Sequence, residues 1–490
     1  MFEQKHAGIF SFLLAASLLA SSLIACDGSD DSTADSGQNA SDTAAQTEAV
    51  TVSEQQKYID ALPQADYSGE TFTILAVPDD IAWGTVSYDA EAEVGEVLND
   101  FVFSRNRSVE EKYHIVMDVV TDYDIASTVK QMVFAGDDNY DMISEYVKFI
   151  MRDAGNNYYY DLLDVSSLNF ENPWWDKTCV DLLTLEDHLF VAFSDMNTQP
   201  TAMLACLLVN NDLVKELDLT SPYDLVFDGA WTLDQMYTMC TETARDLNGD
   251  GKMNEEDRYG AYLGIGTINS MLNGANQPHI TLDANGGWIL NTGTVGTVNA
   301  AEKIGKVMND TQVTVYCNIN AWDSFSLGRA LFAEGTIGNL SGYRNADFMV
   351  GVLPMPKYDE AQDSYVTMMS NCSMGVTLPL TAQDPDRSGT IVEALGAYSY
   401  VDLRHAYYDV TLKDKLSHDE TTPKMLDLII ESRTVDLGVI YEFALGKSIS
   451  SVLDSIKKNG AENLASLAEK NANSFQKNYE KIVDAYTGIE

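Results

Sequence analysis

Apolar and polar positions recur along this chain in two ways, and the switches between them mark its elements. GETFTILAV at 69–77 mixes Phe, Ile, Leu and Val with threonines, the composition of a strand. In AEVGEVLNDFVFSRNRSVEEKY, Val94, Leu98, Val102 and Val109 fall at helical spacing. YHIVMDVV at 113–120 predicts a second strand, and after another helical stretch YDMISEY at 140–146 predicts a short third. Strand, helix, strand, helix, strand is the pattern of a parallel sheet covered by helices, so the fold class is α/β. From DHLFVAFSD the pattern restarts with LLVNNDLVKELDL, then a helix around TLDQMYTMCTETARDL. More α/β material runs to VGVLPMPKY, and CSMGVTLPL is another strand. From about residue 385 the chain is mostly helical, with apolar steps at Met425, Leu428, Ile429, Leu464 and Leu467. No internal repeat is visible.

The two ends of the pattern differ from the body. MFEQKHAGIFSFLLAASLLASSLIAC has a short polar start with Lys5, an apolar run and small residues, the layout of a secretory signal at 1–26. The run is short for a membrane span, and nothing later is long and apolar enough to be one. Its end, Leu23-Ile24-Ala25-Cys26, resembles a bacterial lipobox; the other reading is an ordinary signal with an incidental cysteine. The lipobox resemblance implies that Cys26 is lipidated and becomes the first mature residue, anchored by diacylglycerol and a further acyl chain. Residues 27–56 hold no aromatic and almost no large aliphatic residue, so they predict a disordered tether. Its ends would sit on the order of 30 Å apart. Anchor, tether and body place the protein on the extracytoplasmic face of a cell membrane, and the tether favours a Gram-positive surface.

Composition narrows the function. The chain carries 75 acidic and 30 basic residues, a formal net charge of −45. No basic cluster offsets it, which excludes nucleic acid as a partner. The acidic residues are spread along the chain, so they read as a solvated exterior and predict no basic ligand. Besides Cys26, five scattered cysteines (Cys179, Cys206, Cys240, Cys317, Cys372) form no disulfide framework and predict mostly buried free thiols.

Several longer stretches carry a resemblance. VNNDLVKELDL, SPYDLVFDGAWTLDQM, GVLPMPKYDEAQDSYVT and AYYDVTLKDKLSHDETTPKMLDLIIESRTVDLG resemble the extracellular solute-binding proteins of bacterial ABC importers, in their sugar-handling branch. The resemblance implies a two-lobed periplasmic-binding-protein-like fold whose hinge-linked lobes close on a ligand. It places lobe 1 at 57–195 with 355–402 and lobe 2 at 196–354 with 403–490. It also implies a monomer that takes up a carbohydrate, an oligosaccharide, and delivers it to ABC permease subunits without catalysing a reaction. Two other classes remain: a secreted glycoside hydrolase using a carboxylate pair, and a scaffold or adhesin with the same fold.

One motif stands apart. DLNGDGKMNEEDRYG matches a twelve-residue calcium loop at 246–257, with ligand places at Asp246, Asn248, Asp250, Lys252 (through its carbonyl), Asn254 and Asp257. Gly251 takes the sixth place, where the backbone turns sharply. The twelfth place is Asp257 rather than a bidentate Glu, and an acidic turn without metal is the alternative. The exit, RYGAYLGIGTIN, reads as a strand, so the loop is expected to staple a helix to a strand with Ca2+ as a structural cofactor. Neither a G-x-S-x-G elbow nor H-E-x-x-H occurs, and GKS at 446–448 and GIGTIN at 264–269 are near-misses to nucleotide motifs.

A sugar offers hydroxyl edges and apolar ring faces, so its cleft needs aromatic platforms and fixed polar groups. Loops at the carboxyl ends of strands line such clefts. That rule selects Asp79, Asp80 and Trp83 after the first strand, Glu145 and Tyr146 after the third, and Asp195 and Asn197 near the first crossing. In the second lobe it selects Asn273 and Asn276, and the resemblance adds Tyr343 and Arg344. Trp231, ahead of Thr232 as helix N-cap, is expected to pack, as is one of Trp174 and Trp175.

Overall fold

The computed structural model describes residues 55–81, 88–317, 323–343, 345–400, 402–407 and 421–488. Cys26, Trp83 and Arg344 therefore lie outside the described residues. All described residues belong to one unit, Thr51–Glu490. The body starts slightly earlier than the tether prediction has it: residues 55–61 are helical, and Gln55 Nε2 donates to the Tyr398 carbonyl at 3.3 Å.

The first sheet follows the expected alternation. Its elements are β1 (Glu70–Ala76), α1 (Val97–Tyr113), β2 (Ile115–Thr121), α2 (Ile125–Ala135) and β3 (Met142–Tyr146), followed directly by α3 (Val147–Asp153). β1 is central and parallel to both neighbours, with Glu70 opposite Ile115 and Ile74 opposite Met142. Phe72, Ile74 and Leu75 are fully buried, and α1 buries Leu98, Val102 and Val109 against this sheet. Val94 is not on that face: Glu96 caps α1 at the Asn99 N–H, 3.0 Å away, leaving Val94 outside the helix and 69% exposed. Likewise Tyr113 ends α1, and His114, at φ 48°, turns the chain into β2.

The second sheet is mixed. Along the chain come α4 (Gln199–Ala202), β4 (Ala205–Asn210), α5 (Leu233–Thr243), β5 (Tyr259–Leu263) and α6 (Gly266–Gly274). Then follow the hairpin β6 (Ile280–Leu282) and β7 (Trp288–Leu290), a separate two-stranded sheet, and α7 (Val295–Asn309), β8 (Thr314–Tyr316), β9 (Ala330–Thr336) and β10 (Val350–Leu353). The strand order is β10-β4-β9-β5-β8. β4 is antiparallel to both neighbours and all six of its residues are buried, which explains its unbroken apolar run. Gly260 in β5 is required by close packing, because a Cβ there would collide with the backbone of Cys240 in α5.

The chain crosses between the sheets more than once. Residues 192–204 run out beside 369–376, joined at Ala192–Val376 and Leu204–Met369. Between the lobes, β11 (Thr367–Met368) later pairs with β13 (Arg433–Thr434), while β12 (Met374–Thr377) returns to join β3 antiparallel. The helical end comprises α8 (Pro385–Ser399), α9 (Asp402–His405), α10 (Thr421–Glu431), α11 (Leu437–Ile440), α12 (Glu442–Leu445), α13 (Lys447–Asn459) and α14 (Leu464–Thr487). Residues 403–490 do not sit on one lobe alone. α9 packs on α1 and α8, and α12 packs on α3, all in the first lobe, whereas α10 packs on β10 and α13 on α7 in the second. α14 reaches both, with Tyr479 stacked on Trp288 and Tyr486 edge-on to Phe190.

Five cysteines are free among the described residues, three of them buried. Trp231, Trp174 and Trp175 are all buried, so both members of the tryptophan pair pack. Trp175 Nε1 donates to Glu393 Oε1 at 2.8 Å.

Candidate functional site

A cavity of about 860 Å³ opens between the second lobe and the crossing strands. The first turn of α6 contributes Thr267, Asn269 and Ser270, the end of β9 contributes Glu334 to Thr336, and the following loop contributes Asn339, Ser341 and Tyr343. Met203, Ser370 and Asn371 line it from the crossing strands. Its composition is amides, hydroxyls, glycines, methionines and aromatic rings, suited to a ligand rich in hydroxyl groups.

Local chemistry fixes these groups. Thr267 donates its hydroxyl to Glu334, and Gly264 leaves room for that carboxylate, since a Cβ there would collide with Glu334 Oε1. His279 is buried, with Nε2 and Asn269 Oδ1 2.7 Å apart and Nδ1 without a hydrogen-bond partner. Burial lowers the His279 pKa, with Asp436 acting against the fall, and so favours the neutral ring. The Tyr343 ring meets the fully buried Phe325 edge-on at 5.3 Å. Asn371 Nδ2 donates to Glu442 Oε1 at 2.9 Å and to the Val439 carbonyl at 3.3 Å.

Asn371 also links this cavity to the first lobe, because its carbonyl accepts the Lys148 N–H at 3.3 Å. There the carboxyl edge of the first sheet builds an aromatic corner. Tyr146 donates its hydroxyl to the Ile81 carbonyl, which ties β3 to the turn carrying Asp79 and Asp80. Asp80 accepts the Tyr123 hydroxyl at 2.9 Å. Tyr146 packs on Phe149 at 6.1 Å, and Phe149 stacks on Phe443 at 5.7 Å. Lys148 Nζ lies over the Tyr146 and Phe149 rings at 5.5 and 5.2 Å and 3.0 Å from Cys372 Sγ. Glu145 is buried below this corner and accepts the Tyr146 N–H at 2.7 Å; burial pushes its carboxyl up to about 7.

The structure thus brings Asp79, Asp80, Glu145 and Tyr146 to one edge of the first sheet and Tyr343 to the cavity. Asp195 and Asn197 go elsewhere, into a small hinge pocket with Trp174, Trp175, Arg404 and Arg433. Burial raises the Asp195 carboxyl to about 6, with Arg404 and Arg433 acting against the rise. Asn273 and Asn276 line a separate cavity of about 780 Å³ beside Tyr365 and Arg433. Asn273 is buried there and donates to Asp436 Oδ2 at 2.9 Å. Thr267, Asn269, Glu334 and Asn371, which the loop rule does not select, line the 860 Å³ cavity, and Phe149 and Phe443 stack at the corner of the first sheet. Thr267 and Asn269 belong to GIGTIN, whose first glycine, Gly264, makes room for the Glu334 carboxylate.

In the loop at 246–257 the side chains turn onto the backbone. Asp246 accepts the Gly249 and Gly251 N–H groups at 2.6 and 2.8 Å, and Asp250 accepts that of Lys252 at 2.8 Å. Gly251 has φ +80°. Burial acts to raise the Asp257 carboxyl, but the N–H groups of Leu247 and Asn254 (2.9 and 2.8 Å) outweigh it and hold the carboxyl below its ordinary range. The loop leads from α5 into β5, and Arg245 pairs with Arg258 across its neck. Among the described residues, no three His, Cys, Asp or Glu side chains gather around one point that could hold a metal ion.

No family model matches the chain, and no curated protein matches its sequence. Its structure does have counterparts. A cyclo/maltodextrin-binding protein complexed with maltotetraose superposes with a TM-score of 0.57 at 12% identity, over 84% of this chain and 97% of that one. The GacH receptor of Streptomyces glaucescens, solved unliganded and with acarbose, gives 0.54 at 12% identity, over 84% and 99%. RafE from Streptococcus pneumoniae in its apo form gives 0.53 at 14%, over 85% and 100%. These likenesses show the fold: two α/β lobes joined at a hinge, with a cleft between them.

Proposed function

We propose that this protein is the substrate-binding component of an ABC importer, which captures a carbohydrate between its lobes and passes it to a membrane permease. The observation that carries the reading is the 860 Å³ cavity against the crossing strands, lined by amides, hydroxyls and the Tyr343 ring. Its place in a fold shared with proteins bound to maltotetraose and acarbose supports a glycan of several units. Capture needs no chemistry, so the chain acts as a binding protein and not as an enzyme. The sequence of the first 56 residues supports attachment to the outer face of the membrane through Cys26.

Thermal unfolding of the protein against mono- and oligosaccharides tests this directly. A bound ligand stabilises the folded chain by about 2.7 kcal/mol at a hundredfold excess over Kd and so raises the midpoint in a concentration-dependent way. One glycan series is expected to do so, and a flat response to every sugar would count against the carbohydrate reading. Tyr343→Ala removes an aromatic face from the cavity and should weaken the active sugar by about 1–3 kcal/mol, roughly five- to 150-fold in Kd. An unchanged Kd would remove Tyr343 from the site.

We further propose that the loop at 246–257 takes up calcium as a structural staple. Asp246, Asn248, Asp250, Asn254, Asp257 and the Lys252 carbonyl are all hard oxygen donors, the set such a cation prefers. The turn at Gly251 is in place, and binding would require the Asp246, Asp250 and Asp257 carboxylates, which here accept backbone N–H groups, to turn onto the ion. Chelation should lower the unfolding midpoint and added calcium restore it, while Asp250→Ala should lose the response. A midpoint indifferent to chelator would leave an acidic turn.

A further inference from the structure

Glu334 is the one charged residue among the described residues lining the 860 Å³ cavity. Everything else there is neutral, and amides and hydroxyls alone suffice to pair sugar hydroxyls. A half-buried carboxylate is costly to keep unless something compensates its charge. Here the compensation inside the protein is weak. Glu334 accepts the Thr267 hydroxyl and stands close to the Cys317 thiol, both neutral. No Lys or Arg among the described residues forms an ion pair with it. The basic residue on the hinge side, Lys148, is turned onto two rings and Cys372 instead. Glu334 is also held in place: Gly264 lets its carboxylate lie against the backbone, and Thr267 at the start of α6 fixes it from the other side. A positioned carboxylate with no cation beside it among the described residues, in a cavity otherwise lined by neutral groups, is complementary to a ligand that brings the cation itself.

We propose that the ligand is an amino sugar with a free, protonated amine, and that Glu334 is the residue that selects it. This rests on the carbohydrate reading of the cavity. An ammonium donating to a carboxylate adds the attraction of opposite charges to the hydrogen bond, which a neutral hydroxyl on the same carboxylate cannot supply. An N-acetyl group cancels that charge and adds bulk beside Thr267.

The test takes the full chain and a panel of neutral mono- and trisaccharides, each with its 2-amino-2-deoxy and N-acetylated forms. Titration calorimetry at pH 6 and pH 9 gives their Kd values for the native chain and for Glu334→Gln. The expected result is an amine form bound about tenfold or more tighter than its neutral and N-acetylated partners at pH 6. That preference should shrink at pH 9, as the ligand amine loses its proton. Glu334→Gln should weaken the amine form more than the neutral one, so that the preference disappears. Neutral forms binding as tightly as amine forms would overturn the proposal while leaving the carbohydrate reading standing. So would a preference that survives Glu334→Gln, or one that does not change with pH. A variant that loses all sugars in equal proportion and unfolds at a lower midpoint would assign Glu334 a structural role. If no sugar of any form binds the native chain, the carbohydrate reading fails and this inference with it.

Discussion

Replacing Trp231 with alanine should destabilise the second lobe by about 3–5 kcal/mol, the range for losing a buried tryptophan from a well-packed core. Trp231 is fully buried and its ring lies 5.4 Å from that of Phe332 in β9. Its Nε1 donates to the Pro354 carbonyl at 3.0 Å, and its own carbonyl accepts the Lys357 N–H at 3.1 Å. One side chain therefore fastens the segment that leaves β10 for the first lobe onto the middle of the second sheet. The change leaves a cavity and also strands the Pro354 carbonyl, which adds to the loss. Trp231→Phe keeps most of the volume but not the N–H, and should fall between the two. Chemical denaturation read by ellipticity measures both. A Trp231→Ala chain as stable as the native one would contradict the packing described here.

The second large effect is electrostatic and depends on pH. Burial raises Glu145 from 4.5 to about 7. Below pH 4.5 the group is protonated in folded and unfolded chains alike, and it costs nothing. Between 4.5 and 7 the unfolded chain releases the proton while the folded one retains it, so stability falls as pH rises. Above about 7 the full penalty applies. Asp195, raised from 3.8 to about 6, acts in the same direction over a lower window. Glu145→Gln keeps an oxygen for the Tyr146 N–H and removes the charge. It should stabilise the protein at pH 8 by on the order of 2 kcal/mol and leave it unchanged at pH 4. Midpoints at the two pH values decide it: an equal gain at both, or none at either, would refute burial as the cause.

How much of this could be read from the sequence depended on the range of the interaction. The β1-α1-β2-α2-β3 run was legible because each element carries its own periodicity, and the calcium-like loop because its spacing is local. The return of β12 to pair antiparallel with β3 was not, since nothing in CSMGVTLPL names its partner. The site shows the same limit. The loop rule points to the carboxyl end of β5, and the structure uses that end through Thr267 and Asn269. The sequence reading instead chose Asn273 and Asn276. Asn273 lies one turn beyond Asn269 on the same face of α6, and Asn276 lies past the end of that helix; at 1.5 Å per residue the rise carries both to the cavity beside Tyr365 and Arg433. Asp195 and Asn197 do lie at a crossing, but they line the hinge pocket, where Arg404 and Arg433 join them from the far end of the chain and Asn197 accepts the Gln199 N–H at 2.9 Å. The Phe149–Phe443 stack is a tertiary event between residues that no motif connects.

The central claim, that the ligand is held between the lobes, is tested most directly by a crystal structure of the protein with the sugar that raises its unfolding midpoint most. That sugar is expected in the cavity bounded by Asn371, Tyr343 and Glu334, with the Tyr146–Phe149 corner brought against it. Sugar found instead in the cavity beside Tyr365 and Arg433, with the first left empty, would contradict the account.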